Sequence, residues 1–142
     1  MGMTIRVKKL HPDAKLPSYA HPGDAGMDLF ALEQVTIKKG ERARISTGIA
    51  MEIPHGYVGL VWDKGSIGSI QGLKNLGGVM DAGYRGDYII TLVNLSEKDY
   101  TIEKHNKIAQ LLIQKIEHPE IVETNELSDS SRGEGRFGST GK

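Results

Sequence analysis

RARISTGIAMEIP, residues 42–54, decides the fold. Ala43, Ile45, Thr47, Ile49, Met51 and Ile53 recur at every second position. A period of two puts all six on one face, which is the pattern of a half-buried strand and not of a helix. Reading outward, similar short runs appear at TIRVKK (4–9), MDLFAL (27–32), QVTIKK (34–39), YVGLVW (57–62), YIITLVNL (88–95), YTIEK (100–104) and KIAQLLIQKI (107–116). Turn residues punctuate them at Pro22-Gly23, Lys39-Gly40, Pro54-His55-Gly56 and Gly77-Gly78. Many short strands with glycine-rich turns predict an all-β sandwich or barrel. GSIGSIQG (65–72) is the one place read as a short helix, and no internal repeat is present. YIITLVNL and KIAQLLIQKI are apolar on both faces. They are therefore either inner strands or strands covered by another subunit.

Composition narrows the function classes. The chain has 142 residues, which is one domain with room for a core. Lys plus Arg and Asp plus Glu number 18 each. No global field therefore draws the chain to nucleic acid or membrane, and any anion site must be local. The absence of cysteine removes disulfides, zinc–thiolate sites and thiol nucleophiles. No apolar run approaches the ~18 residues of a membrane span. MGMTIRVKKL lacks the apolar block of a signal peptide, so a soluble, cytoplasmic protein is expected. The five histidines are scattered and none has metal-ligand spacing. Near Glu123 the apolar runs give way to a polar, glycine-rich segment. The expected organisation is a β domain over 1–122 and a flexible arm over 123–142.

The arm carries RGEGRFGSTGK, 132–142. Gly133, Gly135 and Gly138 match G-x-G-x-x-G, but a dinucleotide fingerprint needs a strand before it and a helix after it. A P-loop fails too, since Arg136 stands where its first glycine belongs. Phe137, an aromatic beside glycine, is out of place in a merely solvating tail.

Three other glycine-flanked segments hold polar groups. PGDAGMDLFA (22–31) turns and enters a strand with Asp28 among apolar neighbours, where a carboxylate must find partners or a cation. WDKGSIGS (62–69) combines a cation, glycines and a hydroxyl, the parts of a phosphate nest. NLGGVMDAGYRGDY (75–88) sets Asp81 after the apolar pair Val79-Met80 and three residues before Tyr84. An aspartate in a partly dry turn can act as general base toward water.

These segments, with HNKIAQLL (105–112) and RGEGRFGSTG, resemble the five ordered motifs of the trimeric deoxyuridine triphosphatases, from about residue 4 onward. PGDAGMDL resembles the first motif, GGVMDAGYRGDY the third and RGEGRFGSTG the fifth. The resemblance implies a compact β-barrel or jelly-roll subunit in a homotrimer. It implies hydrolysis of dUTP to dUMP and pyrophosphate by in-line attack of water on the α-phosphate. Asp81 would orient and deprotonate that water. Lys64, Gly65, Ser66 and Gln110 would contact the phosphate chain. Asn75 and the hairpin backbone about Val79 and Met80 would meet the uracil edge, and Tyr84 would pack on the deoxyribose. Mg2+ would be held mainly by the phosphates, with Asp28 acting through water near it. The arm would close over a neighbouring subunit's site, with Phe137 on uracil and Arg132, Gly138, Ser139 and Thr140 at the γ-phosphate.

The chain also departs from the pattern. Gly65 stands at the first serine of the second motif and Lys64 at its arginine. His105 and Lys107 take the glycine and arginine places of the fourth motif, and Arg136 replaces a glycine of the fifth. A dUTP-sensing binding protein on the same fold is the alternative reading, followed by a relative of the dCTP deaminases. The retained Asp81 and Asp-x-x-Tyr hairpin favour the hydrolase.

Overall fold

The computed structural model describes residues 2–141. The chain is nearly all β. Eleven strands are present among the described residues: β1 (Arg6–Lys9), β2 (Met27–Phe30), β3 (Val35–Ile37), β4 (Arg42–Ser46), β5 (Ile49–Glu52), β6 (Tyr57–Trp62), β7 (Leu73–Leu76), β8 (Val79–Met80), β9 (Ile89–Asn94), β10 (Tyr100–Ile102) and β11 (Lys107–Lys115). The short helix falls where GSIGSIQG suggested, as one wide π-helical turn over Ser66–Ile70. The strands β7 and β8, on either side of Gly77-Gly78, carry no alternation long enough to read from sequence.

The strands form four small antiparallel sheets. Their orders are β1-β5, β3-β10, β2-β11-β6-β8 and β4-β9-β7. The two runs that are apolar on both faces, β9 and β11, are inner strands of the last sheet and of the four-stranded sheet. One core fills the space between sheets, with Leu29, Ile37, Ile49, Met51, Leu73, Tyr88, Ile90, Leu92, Ile102, Ile108 and Leu111 fully buried in it.

The stretch 42–54 corrects the single-strand reading. Its alternation continues, but the chain leaves one sheet and joins another. Residues 42–46 pair with β9, whereas residues 49–52 pair with β1. Gly48 makes the corner with φ +69, and a Cβ there would press on Ala14 and Leu32 at 3.1–3.2 Å. Only glycine takes that conformation in so tight a place. Polar bonds fasten the corner. The Thr47 hydroxyl donates to the Tyr88 carbonyl at 2.7 Å, and the Gly48 N–H donates to Asp87 Oδ1 at 3.0 Å. The Ser46 hydroxyl donates to the other oxygen of Asp87.

Gly59, in the middle of β6, is a second close approach. A Cβ there would lie 2.7 Å from Ile53 Cδ1 and 3.2 Å from Leu111 Cδ1 and Met80 Cβ. Gly59→Ala is expected to cost about 1–3 kcal/mol of stability through overpacking. Chemical denaturation with an unchanged slope would measure it, and a cost below about 0.5 kcal/mol would show that the neighbours yield freely.

Candidate functional site

The segments singled out from sequence gather about the four-stranded sheet. In β2, Asp28 lies opposite Gln110 of β11, and Gln110 lies opposite Trp62 at the end of β6. The loop after β6 brings Asp63, Lys64, Gly65 and Ser66 to the same edge. The side chain of Asp28 is 2% exposed, and both of its oxygens are engaged. Lys64 Nζ lies 2.6 Å from Oδ1, and Lys107 Nζ lies 3.1 Å from Oδ2. Burial pushes its carboxyl up, but the two ammonium groups outweigh burial and hold it below the ordinary carboxylate range.

The rest of this wall is built for rigidity. Gln110 donates from Nε2 to the Asp63 carbonyl at 2.9 Å, and Gly26 leaves the space that the Gln110 side chain occupies. The Asp63 carboxylate accepts from the Asn75 N–H and from Lys74 Nζ, each at 2.6 Å. Asn75 is buried, with its amide donating to the carbonyls of Val61 and Gly77. Its amide N–H groups therefore brace the turn into β8, where Gly78 (φ +118) leaves no room for a side chain against the Val61 carbonyl. Gly65 and Ser66 are exposed at the loop's mouth. Gly65 is right-handed helical (φ −50, ψ −46) with open space around its Cα, so packing does not demand a glycine there.

At the other end of β6, the hairpin 81–88 holds Asp81 and Tyr84. A turn closes from the Tyr84 N–H to the Asp81 carbonyl at 3.1 Å. The Tyr84 ring then folds back over the hairpin. It stacks on Tyr88 with centroids 6.0 Å apart and donates from its hydroxyl to the Asp87 carbonyl at 2.9 Å. Gly86 makes this possible, because a Cβ there would meet the Tyr84 ring at 2.7–3.0 Å. Tyr88 is the floor beneath it, and burial pushes its phenol up to about 12. Arg85 ties the turn from outside, donating to the carbonyls of Ala82 and Tyr84 at 2.6 and 3.1 Å. Val79, Met80, Asp81 and Tyr84 line one cleft of about 280 Å³, together with Arg44, Asp87, Ile89 and Thr91. Asp81 itself is exposed in the single chain rather than partly dry.

The register of β6 sets these two groups of residues apart. Met80 pairs with Gly59, so Asp81 comes level with Val58, six positions before Lys64. At a strand rise of ~3.3 Å per residue, the separation is on the order of 15–20 Å. That gap is wider than two side chains acting on neighbouring atoms of one small molecule can bridge.

Among the described residues, the segment after β11 contributes no strand to any sheet. From 117 to 141 it is exposed apart from a partly covered Gly135, and Phe137 is 90% exposed. It is nevertheless organised locally. Arg132 donates from Nε to the Gly135 carbonyl at 2.7 Å, and the Ser139 N–H donates to the Arg136 carbonyl at 2.8 Å. The Arg136 guanidinium lies 4.5 Å from the centre of the Phe137 ring. Gly138 adopts φ +80. Among the described residues, Arg132, Phe137, Gly138, Ser139 and Thr140 form no hydrogen bond with the Asp28 wall or the Asp81 hairpin.

His105 shows what one departure does. It is the sole described non-glycine residue with positive φ, at +67. A hydrogen bond of its Nε2 with the Asp13 carbonyl at 2.7 Å holds it there, and the neighbouring Lys104 pairs with the Asp13 carboxylate at 3.0 Å. Sequence reasoning left Lys107, Arg85, Asp87 and Tyr88 outside the site. For Lys107 the available signal was its place, three residues before Gln110.

No cluster of three acidic or histidine side chains able to hold a metal occurs among the described residues. The buried carboxylate of Asp28 already has two ammonium partners. With both oxygens engaged, Asp28 is not placed to ligate a metal directly, so a divalent cation here would have to be carried by a ligand's own oxygens. No helix among the described residues is long and apolar enough to cross a membrane.

Comparison with known proteins agrees with this geometry. The dUTPase family model matches residues 12–141. A deoxyuridine 5'-triphosphate nucleotidohydrolase of Mycolicibacterium gilvum is 44% identical over 149 residues, covering 99% of this chain and 97% of that one. The enzyme of the same name from Clostridioides difficile is 45% identical over 139 residues, covering 96% and 97%. Among solved structures, the dUTPase of Staphylococcus bacteriophage 80alpha with dUpNHpp superposes with a TM-score of 0.93 at 35% identity, covering 98% and 99%. A mutant dUTPase from phage phi11 of S. aureus, whose structure describes the coordination of a structural Mg(II) ion, superposes at 0.84 with 30% identity, covering 89% and 100%.

Proposed function

This chain belongs to the dUTPase family, and from that premise we propose that it hydrolyses dUTP to dUMP and pyrophosphate in the cytoplasm. The observation that carries the reading is the hairpin 81–88. An accessible carboxylate and an aromatic ring share one cleft, the ring lying over Gly86, where a Cβ would meet it at 2.7–3.0 Å. Asp81 accepts a proton from the water that attacks the α-phosphorus, and the fixed turn aims its carboxylate. Tyr84 packs against the deoxyribose and leaves no space for a 2'-hydroxyl. The backbone of the hairpin about Val79 and Met80, with the carbonyl oxygen of Asn75 as an acceptor, meets the uracil edge. An amino group at position 4 of the base would leave donors facing donors, which is costly when buried.

Lys64, Gly65, Ser66 and Gln110 bind the phosphate chain. Mg2+ would be held mainly by the triphosphate oxygens and would neutralise the charge of the leaving pyrophosphate. Asp28 stands behind the lysines and reaches that region through water. Because Asp81 comes level with the start of β6 and Lys64 follows its far end, the phosphate wall of one copy serves the hairpin of another. This favours the closed homotrimer. The arm 123–142 of a neighbouring copy then covers the ligand, with Phe137 on the base and Arg132, Gly138, Ser139 and Thr140 at the γ-phosphate.

The test is pyrophosphate release from dUTP, dCTP, dTTP and UTP in the presence of Mg2+. Release from dUTP alone is expected. Release from none of the four, with dUTP still bound, would replace the hydrolase by a dUTP-sensing binder.

A further inference from the structure

The Asp28 carboxylate is shared by two ammonium groups on different elements, Lys64 in the loop after β6 and Lys107 at the start of β11. The charges do not cancel: one carboxylate faces two cations. A Lys64–Asp28 pair alone would be neutral and would offer a phosphate chain little attraction. With net charge zero over the whole chain, nothing distant makes up the deficit. The nearby Asp63 is already countered by Lys74 at 2.6 Å. Lys107 is therefore the surplus cation of this wall.

Its second effect concerns freedom of movement. Lys64 is about one-quarter exposed and sits on the Asp28 oxygen that Lys107 does not occupy. If Lys64 were the sole partner, turning it toward a ligand would leave a buried carboxylate uncompensated, and such a charge is strongly unfavourable. With Lys107 on Oδ2, the carboxylate keeps a counter-charge when Lys64 leaves.

We propose that Lys107 is a positioning residue: it holds the Asp28 charge so that Lys64 is free to serve the triphosphate. The inference rests on the dUTP reading given above and assigns no contact between Lys107 and substrate. The test is titration of a non-hydrolysable α,β-imido dUTP with Mg2+, and separately of deoxyuridine, into the wild type, Lys107→Met and Lys107→Arg at low and high salt.

Lys107→Met is expected to weaken the triphosphate analogue on the order of tenfold or more at low salt. The deficit should shrink at high salt, deoxyuridine binding should stay unchanged, and Lys107→Arg should restore affinity. Two outcomes overturn the proposal alone: analogue affinity of Lys107→Met within twofold of the wild type, or an equal loss for deoxyuridine, which has no phosphate. A wild type that binds neither the analogue nor deoxyuridine overturns the dUTP reading itself. Lys107→Arg keeps the fold and the charge, so its failure to rescue would also count against the role.

Discussion

Asp81→Asn is expected to lower kcat for dUTP by about 10²–10⁴-fold, the range that a positioned base supplies, while a non-hydrolysable dUTP analogue binds as before. The expectation follows from how the hairpin is held. Its turn closes through the Asp81 carbonyl and the Tyr84 N–H, and its outer face is tied by Arg85 to the carbonyls of Ala82 and Tyr84. None of these bonds uses the Asp81 carboxylate. An amide of the same shape therefore leaves the cleft intact and removes only the proton acceptor. Single-turnover release of pyrophosphate, read beside analogue titration, separates the two effects. A residual rate within about tenfold of the wild type would mean that another group takes the proton. A parallel loss of binding would mean that the carboxylate shapes the cleft after all.

Removing residues 131–142 is the second large effect. kcat/KM for dUTP is expected to fall by about 10²–10³-fold, the scale of loss when groups that orient a substrate are withdrawn. The melting temperature should hardly move. The basis for the contrast is that the segment's bonds are almost all internal, Arg132 to Gly135 and Ser139 to Arg136, while Phe137 stands in solvent. Its deletion takes nothing from the core. Scanning calorimetry beside steady-state kinetics would check both halves. A truncated chain that melts much earlier would show that the segment supports the fold, and one that keeps full activity would end the idea of a covering arm.

Local chemistry was legible in the sequence and distant pairing was not. Strand periodicity and turn residues depend on neighbours along the chain, so β4 and β5 were readable from alternation, and β9 and β11 from short runs apolar on both faces. The 81–84 turn was readable from Gly83 and the glycines that flank it. The corner at Gly48 was not, because Thr47 and Ile49 keep the alternation while their partners change from β9 to β1. Alternation reports which face is buried and says nothing of which strand lies alongside. The same limit hid the partner of Lys107, although its place in the fourth motif was legible. Its partner is Asp28 on another strand, and no spacing rule links such positions. The brace of Asn75 on Val61 and Gly77 was likewise invisible, since a polar residue in a glycine-rich run reads equally well as a ligand contact.

The order of strands in the four-stranded sheet has a consequence for the chain's birth. β11 lies between β2 and β6, yet it is the last strand to be made. Synthesis runs from the N-terminus at ~5–20 residues per second. Until Lys115 has been added, β2 and β6 have no central partner, and both present unpaired edges. Ala109 and Leu111, fully buried in the finished protein, complete a core that cannot close before they arrive. A nascent chain of this design cannot fold piece by piece. It waits, with its edges open, for one strand that joins its beginning to its end.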